Sequence, residues 1–568
     1  MLRGSKSIQQ EGDSMPRKPN FMIVITDQQS GNPYWPKGWE EENLPAMRWL
    51  RNHGISFNRA YTNSATCSPA RVTFLTGLYP AQHGVTEVLE FDNIATIAED
   101  VAASKETGSN LTQQLILNVK ERRQRGLPSN IQNMAKILKT AGYNVVYKGK
   151  WHLTKPANFV RNLQQGIHQK YWTEADEAQL AERWGFDGWG MPDAGDNLAI
   201  ANMGGGTTNN DQRFIDGHGL AAKYGDEVPI EKREVDSVLH FLANYDSDKP
   251  FCLIVSLVNP HDVLAYPGSG AVAIDGVPLY QAGGYDPAAF QDLPIDRPPS
   301  WNEDLSTKPR AQSQFRVVSN LGTGLIQEDD VDAQLGYCRF YAYLCKTVDQ
   351  QIQQLLDGLQ KSPFFDDTYI IRLSDHGDMA MAHGLQRQKM FNIYEETLHV
   401  PFIISHPHHF PGRRETDSLV SLIDVLPTLA NLAAVPDLDR WVFKGRDLSP
   451  ILANPAAEVQ NVLHFTYEDL YFYVSAASHI RAIVEKRWKY AVYYDIHTDE
   501  PFEYEMYDLA VPRDQREVVN LGHPDTPVTP EVAAERERLH QRLIHVMETL
   551  GTVPSGIVWP RHWGEQRA

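Results

Sequence analysis

Ala65-Thr66-Cys67-Ser68-Pro69-Ala70-Arg71-Val72-Thr73-Phe74-Leu75-Thr76-Gly77 reads as a helix with both ends marked. Ser68 is a capping residue type, Pro69 suits the first helical position, and Gly77 suits a left-handed stop. Cys67 then sits just ahead of a helix N-terminus, where free N–H groups and the helix dipole favour negative charge. Arg71, one turn farther on, reaches the same anion. Alone, a Cys-Pro pair reads as a buried cysteine beside an ordinary capped helix. The rest of the chain decides between the two.

Outward from this helix, Phe21–Ile25, Tyr143–Tyr147, Phe251–Leu257, Tyr369–Leu373 and Pro401–Ile404 are short apolar runs that read as buried parallel strands. Helical patterns lie between them. One covers Ile131–Thr140. Another places Leu344, Val348, Ile352, Leu355, Leu356 and Leu359 on one face. The alternation predicts an α/β fold, a large mostly parallel sheet with helices on both faces. Ligands in such folds gather beyond the carboxyl ends of the strands. Asp27 follows the first strand, Lys150 and His152 the second, His261 the third, and Asp375 and His376 the fourth. After about residue 455 the texture changes to aromatic-rich, strand-like runs at His479–Tyr494 and Phe502–Asp508, then a helical run at Glu531–Leu550.

The chain of 568 residues is long enough for one large domain and a smaller one. Its net charge of −19 argues against nucleic acid or an anionic membrane as the main partner. An anionic substrate therefore needs a local cluster of cations. Cys67, Cys252, Cys338 and Cys345 show no disulfide framework, which favours a reducing compartment. Residues 1–14 form a polar tail without the apolar core of a signal peptide, and no run reaches transmembrane length, so a cytoplasmic location is expected.

Asp27-Gln28 and Asp375-His376 offer two carboxylates, a carboxamide and an imidazole, a donor set suited to Ca²⁺, Mg²⁺ or Mn²⁺. With no second thiol and no three-histidine set, zinc is disfavoured. Gln28 is uncharged and His376 offers a nitrogen, so Mn²⁺ and Mg²⁺ stand beside Ca²⁺.

The string from Ala65 to Gly77 resembles the signature of the type I sulfatases of the alkaline phosphatase superfamily. Gly149-Lys150-Trp151-His152, preceded by Gly142-Tyr143, resembles that family's second signature, with Val145 and Lys148 as departures. Arg487-Trp488-Lys489-Tyr490, Tyr507-Asp508-Leu509 and Val519-Asn520-Leu521 are similar to its tail. The resemblance implies an alkaline phosphatase-like catalytic domain over 15–455, with an insertion at about 89–126. It also implies a C-terminal subdomain over 456–568, an antiparallel sheet plus a helix. By the same resemblance, a separate maturation enzyme oxidises Cys67 to formylglycine, whose hydrate is the nucleophile and joins Asp27, Gln28, Asp375 and His376 at the metal. Arg71 and Lys150 then hold sulfate oxygens, His152 contacts the formylglycine hydroxyl, and His261 and Lys389 serve the leaving alcohol.

The expected activity is hydrolysis of small anionic sulfate monoesters of aryl or other apolar alcohols, by a homo-oligomer. A phosphonate monoester or phosphodiester hydrolase of the same superfamily is the alternative, and a non-catalytic anion-binding protein a third reading. Asp378, His383, Lys148 and Glu395 are secondary candidates. Trp35, Trp184 and Trp189 are candidates for the pocket border. Leu111, Leu115 and Val119 read as a helical stripe within the insertion, and Gly204–Gly206 as a loop.

Overall fold

The computed structural model describes residues 18–566 apart from 90–124, 157, 163–166, 191–192, 194–210, 219–229, 268–272, 275–276, 279–285, 411 and 470–473. Seven strands form the central sheet: Asn20–Asp27 (β1), Gly54–Phe57 (β2), Asn144–Gly149 (β3), Phe251–Pro260 (β4), Thr368–Ser374 (β5), Phe402–Ser405 (β6) and Arg414–Thr416 (β7). Their order is β7-β2-β6-β5-β1-β4-β3. β1 is parallel to both neighbours, with Phe21 opposite Tyr369 on one side and Cys252 on the other, and β3 is parallel to β4. β1 and β4 are buried along their whole lengths, which is why they read as unbroken apolar runs.

Alternation along β1 feeds two cores. Phe21, Ile23 and Ile25 pack with Val72, Phe74 and Leu75 of helix Cys67–Thr76 (α1) and with Met134, Ile137 and Leu138 of helix Met134–Thr140 (α2). Met22 and Val24 face the opposite side, against the long helix Val331–Lys361 (α3). The expected stripe from Leu344 to Leu359 is the buried face of α3. The pattern predicted over 131–140 starts as a helix at Met134, because the side chain of Asn133 caps it by accepting from the Lys136 N–H.

Three local expectations are corrected. The strand at Phe402–Ser405 is buried as expected, but it runs antiparallel to both β5 and β2. No helix long enough to carry the chain back across the sheet lies between Ser374 and Phe402, so the chain re-enters from the end where β5 stopped. α1 begins at Cys67 itself, with Thr66 as its extended N-cap residue. Ser68, expected as the cap, lies inside the first turn and accepts from the Leu89 N–H at 3.1 Å. Gly77 ends the helix as expected, at φ 68°, where a side chain would be strained. Trp184 and Trp189, expected at a pocket border, belong to the core beneath α2 and β3. The Leu111–Leu115–Val119 stripe and Gly204–Gly206 lie outside the described residues.

The second sheet comprises Leu463–Tyr467 (β8), His479–Val484 (β9), Trp488–Tyr494 (β10) and Glu503–Asp508 (β11), antiparallel in that order. One face packs Tyr490, Val492 and Met506 against Leu539, Leu543 and Met547 of helix Pro530–Leu550 (α4). The other packs Phe465, Ile480, Ala482 and Tyr493 against Met390, Phe391, Ile393 and Tyr394. The small sheet therefore backs the segment between β5 and β6, which carries Lys389.

Candidate active site

Every chemically notable strand end opens onto one place. Asp27 closes β1 and lies opposite Pro260 of β4, while Asp375 follows β5 directly. Lys150 follows β3 because Gly149 sits at φ 94° with its Cα hard against Ser256; a Cβ there would lie 2.0 Å from the Ser256 carbonyl oxygen. The Lys150 N–H donates to that same oxygen at 2.8 Å. α1 delivers Cys67 and Arg71 from the adjoining face, and all ten of its residues are buried.

Arg71 organises the centre. Its Nε donates to Asp375 Oδ2 at 2.9 Å, its Nη2 to Asp27 Oδ2 at 3.0 Å, and its Nη1 to Ser256 Oγ at 2.6 Å. Lys150 Nζ reaches the same Asp27 Oδ2 at 2.6 Å. The second oxygens of the two carboxylates turn inward. Asp27 Oδ1 and Asp375 Oδ1 each lie 3.7 Å from His376 Nε2, and Cys67 Sγ is 3.3 Å from that nitrogen. Ligand atoms of Asp27, Cys67, Asp375 and His376 all lie within 4.8 Å of one another. Two carboxylates and an imidazole converging in this way fit a divalent cation.

Electrostatics follow from the burial. Burial raises the Asp27 carboxyl, but Lys150, His261 and Arg71 outweigh it and hold the group well below the usual carboxylate range. Burial opposes the charge of Lys150, yet Asp27 and Cys67 hold its ammonium above the usual value. Burial and then Asp27 push the Cys67 thiol up to about 12. His376 is lowered, chiefly by burial.

Gln28, expected among the metal ligands, has its carboxamide engaged. Its Oε1 accepts from Lys389 Nζ at 2.6 Å, and its Nε2 donates to Asp378 Oδ2 at 2.6 Å and to Gln388 Oε1 at 3.2 Å. Lys389 thereby joins the cluster through Gln28, and its charge also acts on Cys67. His261 is buried just beyond β4, at charge-interaction range of Asp27, Lys150 and Lys389. His152 takes φ 51°, its ring Nε2 lies 3.3 Å from the Leu89 carbonyl oxygen, and its backbone N–H donates to Asp193 Oδ2 at 2.7 Å.

Three supporting acids had no role in the sequence reading. Asp193 holds the N–H groups of Trp151 and His152, Asp211 holds those of Val258 and Asn259, and Asp262 adjoins His261. Asp262 was legible from its adjacency to His261. Asp193 and Asp211 are distant in sequence from what they hold, and no local pattern marks them. Among the secondary candidates, Asp378 orients Gln28, and Lys148 is lowered to about 8 by burial against the partial support of Asp236. His383 and Glu395 belong to a different cluster, at the junction with the small sheet.

Residues 19–435 match the Sulfatase family, and residues 382–548 match the family described as N-sulphoglucosamine sulphohydrolase, C-terminal. A choline-sulfatase of Rhizobium meliloti is 25% identical over 90% of this chain and 84% of its own length. Arylsulfatase K of Rattus norvegicus is 24% identical over 89% of this chain and 75% of its own. Among solved structures, a 2-O GAG sulfatase superposes with a TM-score of 0.61 at 19% identity, covering 94% of this chain and 93% of that one. A phosphonate monoester hydrolase of Silicibacter pomeroyi superposes with a TM-score of 0.58 at 20% identity, covering 94% and 96%. At these identities the solved structures establish the fold.

Proposed function

This chain belongs to the sulfatase family, and we propose that its Cys67 centre hydrolyses sulfate monoesters of aryl or other apolar alcohols after a maturation enzyme has oxidised Cys67 to formylglycine. The observation that carries this reading is the convergence of Asp27, Cys67, Arg71, Lys150, Asp375 and His376 in one buried cluster, from four strand ends and a helix start. A divalent cation, Ca²⁺ first and Mn²⁺ or Mg²⁺ next, would be held by Asp27, Gln28, Asp375, His376 and the Cys67 side chain and would supply Lewis-acid polarisation of the sulfuryl oxygens.

The chain's own residues divide the remaining work. Arg71 braces the two carboxylates against each other, so that their inward oxygens stay aimed at His376. Lys150 and Lys389 concentrate positive charge beside Cys67 in an otherwise acidic molecule, which draws in an anionic ester and stabilises charge on its oxygens. His261, with Lys389, serves the leaving oxygen.

A second reading, hydrolysis of phosphonate monoesters or phosphodiesters, draws support from Gln28 and His376 at the cluster and from the tetrahedral anionic centre that both substrate classes share. The deciding experiment is kcat/KM for an aryl sulfate and the matching aryl phosphonate monoester, using metal-loaded protein coexpressed with the maturation enzyme. Preference for the sulfate is the expected result. Preference for the phosphonate replaces the first reading with the second, and no turnover of either overturns both.

A further inference from the structure

Immediately beyond β4, His261 and Asp262 stand side by side. His261 Nδ1 lies 3.8 Å from Asp262 Oδ1. Among the described residues, neither that nitrogen nor either carboxyl oxygen of Asp262 has a hydrogen-bond partner. His261 is 6% exposed and Asp262 fully buried. A buried carboxyl with both oxygens unpartnered is costly, and such groups occur where a proton or a ligand completes them.

The neighbours decide which. Burial, then Lys150 from the end of β3, Lys389 and His376 from the segment after β5, keep the His261 imidazole neutral against the pull of Asp27 from β1. Burial, then Asp211 and Asp27, push the Asp262 carboxyl well above the usual carboxylate range against the pull of Lys150. A neutral imidazole carrying its proton on Nε2 is a weak acid by itself. It donates that proton far more readily when Nδ1 receives another at the same moment.

We propose that Asp262 and His261 form a carboxyl–imidazole pair in which Asp262, as a positioning residue acting through His261, gives a proton to Nδ1 while His261 gives its Nε2 proton to the leaving alcohol. This rests on the sulfate-ester reading above. As the sulfur–oxygen bond breaks, its electron pair stays on the leaving oxygen, which takes the proton of His261 Nε2. Nδ1 takes the Asp262 carboxyl proton, leaving a carboxylate and a neutral imidazole of the other tautomer. The sulfuryl group passes in the same step to a hydroxyl oxygen of the nucleophile formed from Cys67, which makes the new sulfur–oxygen bond, and the proton that this hydroxyl gives up resets the pair.

The test is a leaving-group series from 4-nitrophenyl to phenyl sulfate, run on the wild-type enzyme and on Asp262→Asn. The variant is expected to lose about 10²-fold or more in kcat/KM on phenyl sulfate and less than about tenfold on 4-nitrophenyl sulfate, because a good leaving group needs little proton assistance. Asp262→Glu is expected to recover part of the loss on phenyl sulfate. Adding Asp262→Asn to His261→Asn is expected to cost nothing further. Equal losses on both esters, or no loss, overturn the proposal. If Asp262→Asn does not fold, a proton inventory of the wild-type enzyme in mixed H₂O and D₂O decides. Curvature on phenyl sulfate alone supports two protons in flight, and a linear inventory on both esters overturns it. A wild-type enzyme that turns over no sulfate ester fails the functional reading instead, which is a distinguishable outcome.

Discussion

Two buried clusters of charge lie on either side of the segment between β5 and β6, and they are built for opposite ends. The first joins Asp27, Arg71, Lys150 and Asp375 and leaves atoms facing inward: the Oδ1 oxygens around His376, and the unpartnered Nδ1 of His261. The second joins that segment to the small sheet. There Lys489 of β10 bridges Glu395 at 2.7 Å and Glu517 at 2.5 Å, and Glu517 accepts the Glu395 N–H at 2.8 Å. Beside it, His383 stands between Glu303 at 2.6 Å and Glu396 at 3.4 Å, and Lys308 reaches Glu303 at 2.7 Å. His383, Glu396 and Glu517 bring ligand atoms as close together as a metal site would. Lys489 already pairs with Glu517 and His383 with Glu396, so the junction is closed by its own residues. Buried carboxylate oxygens that converge on one point suit a cation, whereas buried charge paired by neighbouring residues ties two parts of a fold together.

The largest effect expected from breaking this comparison is chemical. Cys67→Ala should lower kcat/KM for aryl sulfates by at least about 10³-fold, as loss of a nucleophile does, while leaving the melting temperature close to that of the parent. Next come paired disruptions of the clusters. Arg71→Met and Lys489→Met each strand buried carboxylates and should each cost about 3–5 kcal/mol in denaturant unfolding. Only Arg71→Met should also weaken divalent-metal binding measured by calorimetry. Equal weakening in both variants would erase the distinction between an open and a closed cluster.

Metal removal sharpens the same contrast. Chelation should reduce stability by about 3 kcal/mol relative to protein held at a hundred times the metal dissociation constant, and readdition should restore both stability and turnover. Lys489→Met should leave that increment unchanged.

The smallest expected effect is on pH dependence. Glu396 and Glu303 outweigh burial and raise His383 to about 9, above its ordinary value of 6.5. The folded state thus holds a proton that the unfolded chain releases. Stability from this group is complete below about pH 6.5 and is lost as pH rises through about 9. Glu517, pushed up to about 7 by burial, works in the same direction over the window from its ordinary 4.5 to about 7. His383→Gln should therefore flatten the fall in stability between pH 6.5 and pH 9 by on the order of 2 kcal/mol, read from unfolding curves at the two pH values.

Much of the centre was legible in the chain because its residues follow strands that announce themselves. Unbroken apolar runs marked β1, β3, β4 and β5, and Asp27, Lys150, His261 and Asp375 stand directly beyond them. The direction of β6 was not legible, since an apolar run looks the same whichever way it is traversed. Nor was the bracing role of Arg71, whose donors are divided among Asp375, Asp27 and Ser256, residues far apart in the chain. Nor were the partners of Gln28, whose two amide atoms meet Lys389 and Asp378 from far along the chain.

What the sequence determined by itself is the set of chemical groups and the architecture that gathers them. Hydrophobic periodicity and helix-stopping glycines act over a few residues and are written locally. Only the tertiary structure decided what each group is free to do. Which oxygen of Asp27 is spent on Arg71 and Lys150, which faces His376, and which charges surround Asp262 all depend on contacts across the fold. Hydrogen bonds and charge interactions act over a few ångströms of space, so the partners that set each group's protonation and aim are chosen by folding.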